Sequence, residues 1–209
     1  MLFGYPPPAS RVEDSGLTGT NSVVPIGSTL ELIASRSSTK KFSDLAVSAT
    51  QVDALLTAAV RAPDHGQLGP WRFTILEGSS RELLGRAMAG ALKEKSPEAD
   101  DEAVSREFSK ALRSPVLIVV SAVTRDHPKV PQVEQWVAVG AAIQNLWIAA
   151  ESMGLGVAWK TGSHAYNPNV KAALGLSAEE SIIGFVHVGH PISKAPVRPA
   201  DLNGKVRRC

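Results

Sequence analysis

The chain has 209 residues, of which 44% are hydrophobic and 20% charged, and its formal net charge is +2. This composition fits a single globular domain with appendages and excludes an intrinsically disordered chain. So small a net charge gives no electrostatic case for binding nucleic acid.

The N-terminal residues 1–27 are rich in Pro, Gly, Ser and Thr and show no sustained apolar periodicity, which predicts a flexible extension. They contain neither the basic segment nor the long apolar run of a secretory signal, so we expect a cytoplasmic protein. The folded domain is predicted to cover residues 28–191. Its first helix follows Ser28, which has the capping-box spacing to Glu31, and ends at Arg36.

Three further helices and a strand are predicted in the next part of the chain. A second helix follows Ser48, where Gln51 completes another capping box, and Pro63 is expected to end it. The pattern then predicts a strand over 71–76, a helix over 79–95 capped by Ser79, and a more polar, peripheral helix over 97–112.

The second half of the chain contains the most apolar elements. The continuous apolar run 115–123 predicts a strand that is covered on both faces. Residues 131–153 form the longest helical segment, which from Val137 to Ala150 is apolar on nearly every side and should lie in the centre of the fold. Its apolar part is shorter than the ~20 residues that a membrane span needs. A strand over 157–160, a short helix from Asn167 and a last strand over 182–188 follow.

This order of elements, with helices first and then strands separated by helices, predicts an α+β or α/β sandwich with a small mixed sheet between helices. Residues 192–209 are predicted to be a proline-rich tail that lies across another surface, for which a partner subunit is one candidate. The single cysteine, Cys209, ends this tail. It cannot form an intrachain disulfide, and it lacks the neighbours that would make it a nucleophile.

Several common sites are absent from the sequence. It contains no His-Glu-x-x-His helix, no phosphate-binding loop ending in Gly-Lys-Ser/Thr and no Gly-x-Ser-x-Gly elbow. His187 and His190 are three apart in a predicted strand and should point to opposite faces, so a shared metal ion is not expected. Gly154-x-Gly156 follows a helix and enters a strand, which is the reverse of a dinucleotide fingerprint.

Polar groups at the ends of segments are the remaining candidates for a binding site. Arg36, Ser37 and Ser38, with two lysines after them, suit a phosphate or another anion, because a guanidinium binds pairs of oxygens. The alternative is a solvated helix end, where cations complement the helix dipole.

Two more groups of polar residues could form either a binding site or an ordinary structural element. Arg61 and His65 lie in a loop stiffened by prolines, which is followed by Trp71 and could equally be an ordinary turn with this tryptophan in the core. The glycines in residues 154–162 allow a ligand to approach the backbone closely, and the same stretch offers an aromatic ring, a cation and a hydroxyl. Trp159 taken alone is nevertheless more typical of a core residue.

Taken together and in this order, the motifs resemble the nitroreductase family, and most closely its small YdjA-type branch. They are Arg-Ser-Ser after the first helix, Arg-Ala-Pro-Asp-His followed by Pro-Trp, the long apolar helix and Gly-x-Gly-x-x-Trp-Lys. The resemblance covers about residues 28–191. It implies a three-layer α-β-α sandwich of the α+β class with a long central helix, in an intertwined homodimer with FMN at the subunit interface.

The resemblance also implies the site residues. FMN would be contacted by Arg36, Ser37, Ser38, Trp159, Lys160 and Thr161, while Arg61 and His65 would reach the FMN of the other subunit. Ala149, Ala150, Glu151, Ser152, Met153 and Gly154 match a segment associated with the nicotinamide cofactor. This chain has Ser at position 37 where a second Arg is common and Lys at position 160 where Arg also occurs, and both changes weaken bidentate binding of phosphate.

The implied activity is the transfer of hydride from NAD(P)H through FMN to a small-molecule acceptor such as a nitroaromatic or a quinone. Ping-pong kinetics are expected, with neither a metal ion nor a catalytic side chain, since the flavin carries the chemistry. Two alternatives stay open. One is a flavin-binding or flavin-handling protein on the same fold without nitroreductase activity, and the other is a non-enzymatic dimeric interaction module.

Overall fold

The computed structural model describes residues 29–209, so the predicted extension 1–27 and the predicted cap Ser28 lie outside the described residues. Within this range the helices are α1 (Thr29–Ser35), α2 (Ala49–Ala59), α3 (Ser80–Lys95), α4 (Asp101–Ser109), α5 (Gln132–Ser152) and α6 (Pro168–Ala173). The strands are β1 (Thr39–Phe42), β2 (Trp71–Glu77), β3 (Val116–Ala122), β4 (Gly156–Lys160), β5 (Ser181–Gly189) and β6 (Pro191–Lys194).

The main sheet has the order β2-β3-β5-β4, and each of its three pairings is antiparallel. The α+β class is confirmed. The prediction of a mixed sheet is wrong, because all three pairings of the main sheet are antiparallel. The connection through α3 and α4 and the connection through α6 both return the chain antiparallel to the strand that it left. β3 and β4, which the single helix α5 connects, do run in the same direction, but β5 lies between them.

The sheet is covered on both faces, as the three-layer sandwich requires. Every residue of β3 is buried, as its apolar run predicts. On one face, which we call the α2/α5 face, Leu55 and Ile143 are fully buried against the sheet. On the other, the α3/α6 face, Leu84 and Val170 pack with Phe185 of β5.

The long helix α5 is central only in its second half. Ile143 and Leu146 are fully buried, as the apolar pattern predicts. In its first half, however, Val133, Trp136 and Val137 are 61%, 41% and 67% exposed. An apolar stripe on a helix indicates a surface that is buried against something. No helix among residues 29–209 is long and apolar enough to be a candidate membrane span.

Several element boundaries differ from the sequence-based prediction for local reasons. Ser48 and Gln51 form the predicted capping box of α2. Helix α3 begins at Ser80, and Ser79 makes no capping hydrogen bond. Helix α4 begins only at Asp101, because the Asp100 carboxylate accepts a hydrogen bond from the backbone N–H of Ala103 and so caps the helix there.

A second, two-stranded sheet joins β1 to β6 and was not predicted. Both strands have only four residues and their pairing is irregular. Neither therefore shows the alternation of apolar and polar residues that would predict a strand. This small sheet packs closely against β4, where a Cβ on Gly156 would collide with the Thr39 side chain. The Ala195 N–H donates to the Ser38 carbonyl at 2.8 Å, which ties the start of the tail to the end of α1.

Candidate functional site

The first polar group lies in a cleft between the end of α1 and the C-terminal tail. This α1–tail cleft has a volume of about 600 Å³, and Arg36, Ser37 and Ser38 form one wall. The other wall is the tail segment 195–200, which includes Arg198. Arg198 was not predicted from the sequence, since a cation in a proline-rich tail has no periodicity around it. Two guanidinium groups and two hydroxyls therefore face one cleft, which is the donor set that binds a phosphate.

Arg36 is held in place by neighbours on α5 and β6. Its guanidinium carbon lies 4.6 Å from the centre of the Trp147 ring, which is a cation–π contact. The Trp147 indole N–H points to the Glu151 carboxylate at 3.4 Å, and Glu151 is also ion-paired with Lys194. This chain of contacts limits the rotamers of Arg36, which also lines the cleft.

The third group, at the end of β4, is divided between the core and another cavity. Trp159 is half-buried, its indole N–H donates to the Ile183 carbonyl at 3.2 Å, and its ring packs over Gly184. Lys160 and Thr161 are exposed and line a cavity of about 390 Å³ on the α3/α6 face of the sheet. Neighbouring residues in a strand point to opposite faces, which separates Trp159 from Lys160.

Substituting Gly184 with Ala is expected to destabilise the fold by roughly 1–3 kcal/mol, because the added methyl group overpacks against the Trp159 ring. The matched control is Gly90→Ala in α3, where a Cβ meets nothing within 4 Å and a helical alanine is favoured. Urea unfolding of both variants measures the difference. A Gly184 variant as stable as the wild type would contradict this packing.

The second group lies in the loop between α2 and β2. Arg61 is exposed, and the His65 ring Nδ1 is 2.6 Å from a Glu134 carboxylate oxygen on α5. His65 also lines a cleft of about 320 Å³ beside the exposed apolar stripe of α5. The Asp64 carboxylate accepts from the Gly69 N–H at 2.6 Å and holds the loop closed. Neither Arg61 nor His65 lines the α1–tail cleft of its own chain.

The segment 149–154, which the resemblance associates with the nicotinamide cofactor, forms the end of α5 and the turn after it. Most of its polar groups are engaged within the chain: the Ser152 hydroxyl donates to the Ala149 carbonyl at 2.8 Å, and Glu151 binds Lys194 and Trp147. Gly154 ends the helix with φ +70°, a conformation that favours glycine. None of these six residues lines the α1–tail cleft, and Glu151 is linked to it only through Trp147, the neighbour of Arg36.

Comparison with known proteins gives consistent matches over most of the chain. The model of the nitroreductase family matches residues 33–190. The protein named putative NAD(P)H nitroreductase YdjA from Escherichia coli K12 is 34% identical over 167 residues, which are 79% of this chain and 90% of that protein.

Two solved structures show the same fold. A nitroreductase-like family protein from Bacillus cereus superposes with a TM-score of 0.78 at 27% identity, and the match covers 90% of this chain and 99% of that one. A nitroreductase from Bacteroides fragilis that was solved with bound FMN has a TM-score of 0.67 at 24% identity, and 88% and 100% of the two chains are covered.

Proposed function

Since this chain belongs to the nitroreductase family, we propose that it is an oxidoreductase that holds FMN in the α1–tail cleft and takes electrons from NAD(P)H. The observation that carries the proposal is the meeting of Arg36, Ser37 and Ser38 with Arg198 across this cleft. When bound, FMN would supply the chemistry, which is to accept hydride from NAD(P)H and pass reducing equivalents to an acceptor. The family relatives support the cofactor, as one of them was solved with FMN.

The residues of the cleft fit the phosphate end of FMN. Arg36 is oriented by the Trp147 ring, so its planar fork is available for two phosphate oxygens. Ser37 is only 5% exposed, so its hydroxyl is held in a fixed position, and Ser38 adds a second hydroxyl donor. Arg198 would close the cleft from the side of the tail. These residues bind and orient the cofactor, and none of them needs to exchange a proton.

The flavin ring is proposed to lie toward the far end of β4. This strand begins at Gly156, which packs against Thr39 beside the cleft, and ends at Lys160. Four residue steps in a strand span about 13 Å. An elongated ligand with its phosphate at Arg36 would therefore reach the far end of this strand. Lys160 points into the cavity of the α3/α6 face, so the phosphate assignment does not rest on it.

Homodimerisation is proposed from the apolar stripe of α5. Val133 and Val137 are largely exposed in the single chain and border the cleft that contains His65. A second copy placed on this stripe would cover it and bring Arg61 and His65 toward the FMN of the other subunit. The pairing of His65 with Glu134 would then set the orientation of the ring.

Replacing Val137 with Glu is expected to shift the dimer to monomer, since the carboxylate would be buried without a partner in the interface. The matched control is Leu83→Glu, a partly exposed leucine on α3, at the opposite side of the sheet. Light scattering after size-exclusion chromatography measures the mass of both variants. A Val137 variant that remains dimeric, or a monomeric wild type at micromolar concentration, would contradict the proposed interface.

The visible spectrum is the direct test of the cofactor. Purified protein reconstituted with FMN and desalted should retain absorption near ~450 nm, since bound FMN keeps its chromophore. Protein that stays colourless would overturn the proposal and favour the non-enzymatic dimeric module. A yellow protein whose NAD(P)H oxidation does not depend on an added nitroarene or quinone would instead favour a flavin-handling role.

The acceptors and the kinetic scheme follow from the same proposal. Nitroaromatics and quinones are the proposed acceptors, and NAD(P)H and the acceptor are proposed to use the site in turn. Initial rates at several acceptor concentrations should therefore give parallel double-reciprocal lines, as a ping-pong mechanism requires. Intersecting lines would show that both substrates bind together and would contradict this order.

A further inference from the structure

The cavity on the α3/α6 face is lined by a cluster of cations that the proposed flavin site does not use. It has a volume of about 390 Å³ and lies between the ends of β4 and β5 and the helices α3 and α4. We propose that it is a separate binding site for small organic anions, and that its ligand class is the hydroxylated aromatic carboxylates. The proposal goes beyond the flavin site, because the test below holds with or without FMN.

The charge of the cavity is positive and uncompensated. Lys95, Arg113 and Lys160 line it, and none of their side chains has a hydrogen bond or an ion pair with residues 29–209. The fourth cation, Lys110, is paired with Glu107, the only carboxylate among the described residues that line the cavity. Three cations that face one concave surface without a counter-charge attract an anion.

Glu107 cannot serve as the counter-charge for these three cations, because its oxygens are already engaged. One oxygen binds Lys110, and the other lies 2.7 Å from the His164 ring Nε2. Burial tends to raise the pKa of this carboxyl, but the hydrogen bonds from Lys110 and His164 outweigh burial and lower the pKa. Glu107 is thus an internal partner, and the remaining positive charge is left for a ligand.

Apolar side chains form another part of the lining. They belong to Met88, Ala91 and Leu92 of α3 and to Phe185 of β5. Phe185 is 2% exposed, so its ring has a fixed position in the core. A ligand that consisted of an anion alone would leave these side chains in contact with water. An anionic group attached to an aromatic ring would match both parts of the lining.

His187 supplies a hydrogen-bond acceptor in the lining. His187 lines the cavity, is 3% exposed, and lies with its Nδ1 2.9 Å from the Ser114 hydroxyl. That hydroxyl donates its single proton to the Val116 carbonyl at 2.7 Å, so it must accept from the histidine. Nδ1 therefore carries the proton, and the bare Nε2 has no partner among residues 29–209. A ligand hydroxyl can donate to this nitrogen.

The arrangement selects against competing ligand classes. Inorganic phosphate would meet the cations but would leave the apolar residues and Nε2 unused. A neutral phenol would meet the apolar residues and Nε2 but not the charges. A ring that carries both a carboxylate and a hydroxyl offers a partner to each of Arg113, Phe185 and His187.

The test is calorimetric titration of the full chain with 4-hydroxybenzoate, with and without bound FMN. We expect one saturable site in both forms and no change in the flavin spectrum. Arg113→Gln should weaken binding by about ten- to a hundredfold, since a charge-assisted contact is removed. The matched control is Arg86→Gln, whose side chain lies on α3 outside the cavity and pairs with Glu82. It should bind as the wild type does.

A second test changes the ligand and not the protein, so its result does not depend on whether a variant folds. With the wild-type protein, 4-methoxybenzoate should bind at least tenfold more weakly, because its ether cannot donate to His187. Inorganic phosphate should compete only weakly, because it meets the cations but neither the apolar residues nor His187. Absence of saturable binding up to millimolar ligand would overturn the proposal. So would unchanged binding by Arg113→Gln, or binding that perturbs the flavin spectrum and disappears in Arg36→Ala, since the probe would then occupy the flavin site.

Discussion

Replacing Arg36 with Ala is expected to weaken FMN binding by about ten- to a hundredfold, which is the range for losing a charge-assisted, bidentate contact to phosphate. The structure makes this arginine more than a surface charge. Its guanidinium stacks on Trp147, and Trp147 is fixed in turn by Glu151. The variant therefore loses a donor that is already oriented before the ligand arrives. Fluorescence titration of FMN with the FMN-free protein measures the change.

Two further variants separate the phosphate role from general damage. Arg36→Lys keeps the charge but loses the planar fork, so it should bind FMN with intermediate affinity. His65→Ala should weaken FMN retention less than Arg36→Ala does, because His65 lies outside the α1–tail cleft of its own chain and is paired with Glu134. Equal retention by the Arg36 and His65 variants would count against the phosphate assignment.

Trp147 and Lys194 extend the proposed site beyond the residues that touch the cleft. Lys194 belongs to β6, and its ion pair with Glu151 joins this strand to the end of α5. The tail that supplies Arg198 begins directly after Lys194, and the Ala195 N–H binds the Ser38 carbonyl. Contacts behind the cleft therefore fix the positions of its two walls relative to each other.

Most of the fold was predictable from local patterns, because its main elements follow strong periodicities. The capping box at Ser48, the Asn167 cap of α6 and the buried strand β3 are where the sequence predicts them. The small β1–β6 sheet was not predictable. It pairs two four-residue strands about 150 positions apart, and it exists because Gly156 lets β1 approach β4 closely.

The candidate site was predicted only in part, because its residues come from distant parts of the chain. Arg36, Ser37 and Ser38 do line one cleft, but Arg198 joins them through the path of the tail. Residues 159 and 160 are neighbours in sequence and point to opposite sides of β4, so one packs in the core and the other lines a second cavity. His187 was considered only as a metal ligand, and Ser114, with which its ring forms a hydrogen bond, is 73 positions away.

His187 also gives the protein a specific sensitivity to acid. Burial, together with the nearby charges of Arg113, Lys160 and Arg81, lowers the pKa of this histidine from its ordinary 6.5 to about 4. In the folded chain it is therefore neutral down to about pH 4, whereas in the unfolded chain it binds a proton below about pH 6.5. The unfolded state binds more protons in this window, so the free energy of unfolding falls as the pH falls.

Between pH 6.5 and pH 4 this single group should remove roughly 3 kcal/mol of stability, since each pKa unit corresponds to about 1.4 kcal/mol. His187→Asn removes the titration, while its amide can still donate to the Ser114 hydroxyl in the place of Nδ1. Urea unfolding at pH 7 and at pH 4.5 should show a smaller loss in the variant than in the wild type. Carboxylates that titrate in the same window contribute to both proteins and cancel in the difference. Equal losses in the two proteins would mean that His187 is already protonated in the fold, and its Nε2 could then not accept a hydrogen bond from a ligand.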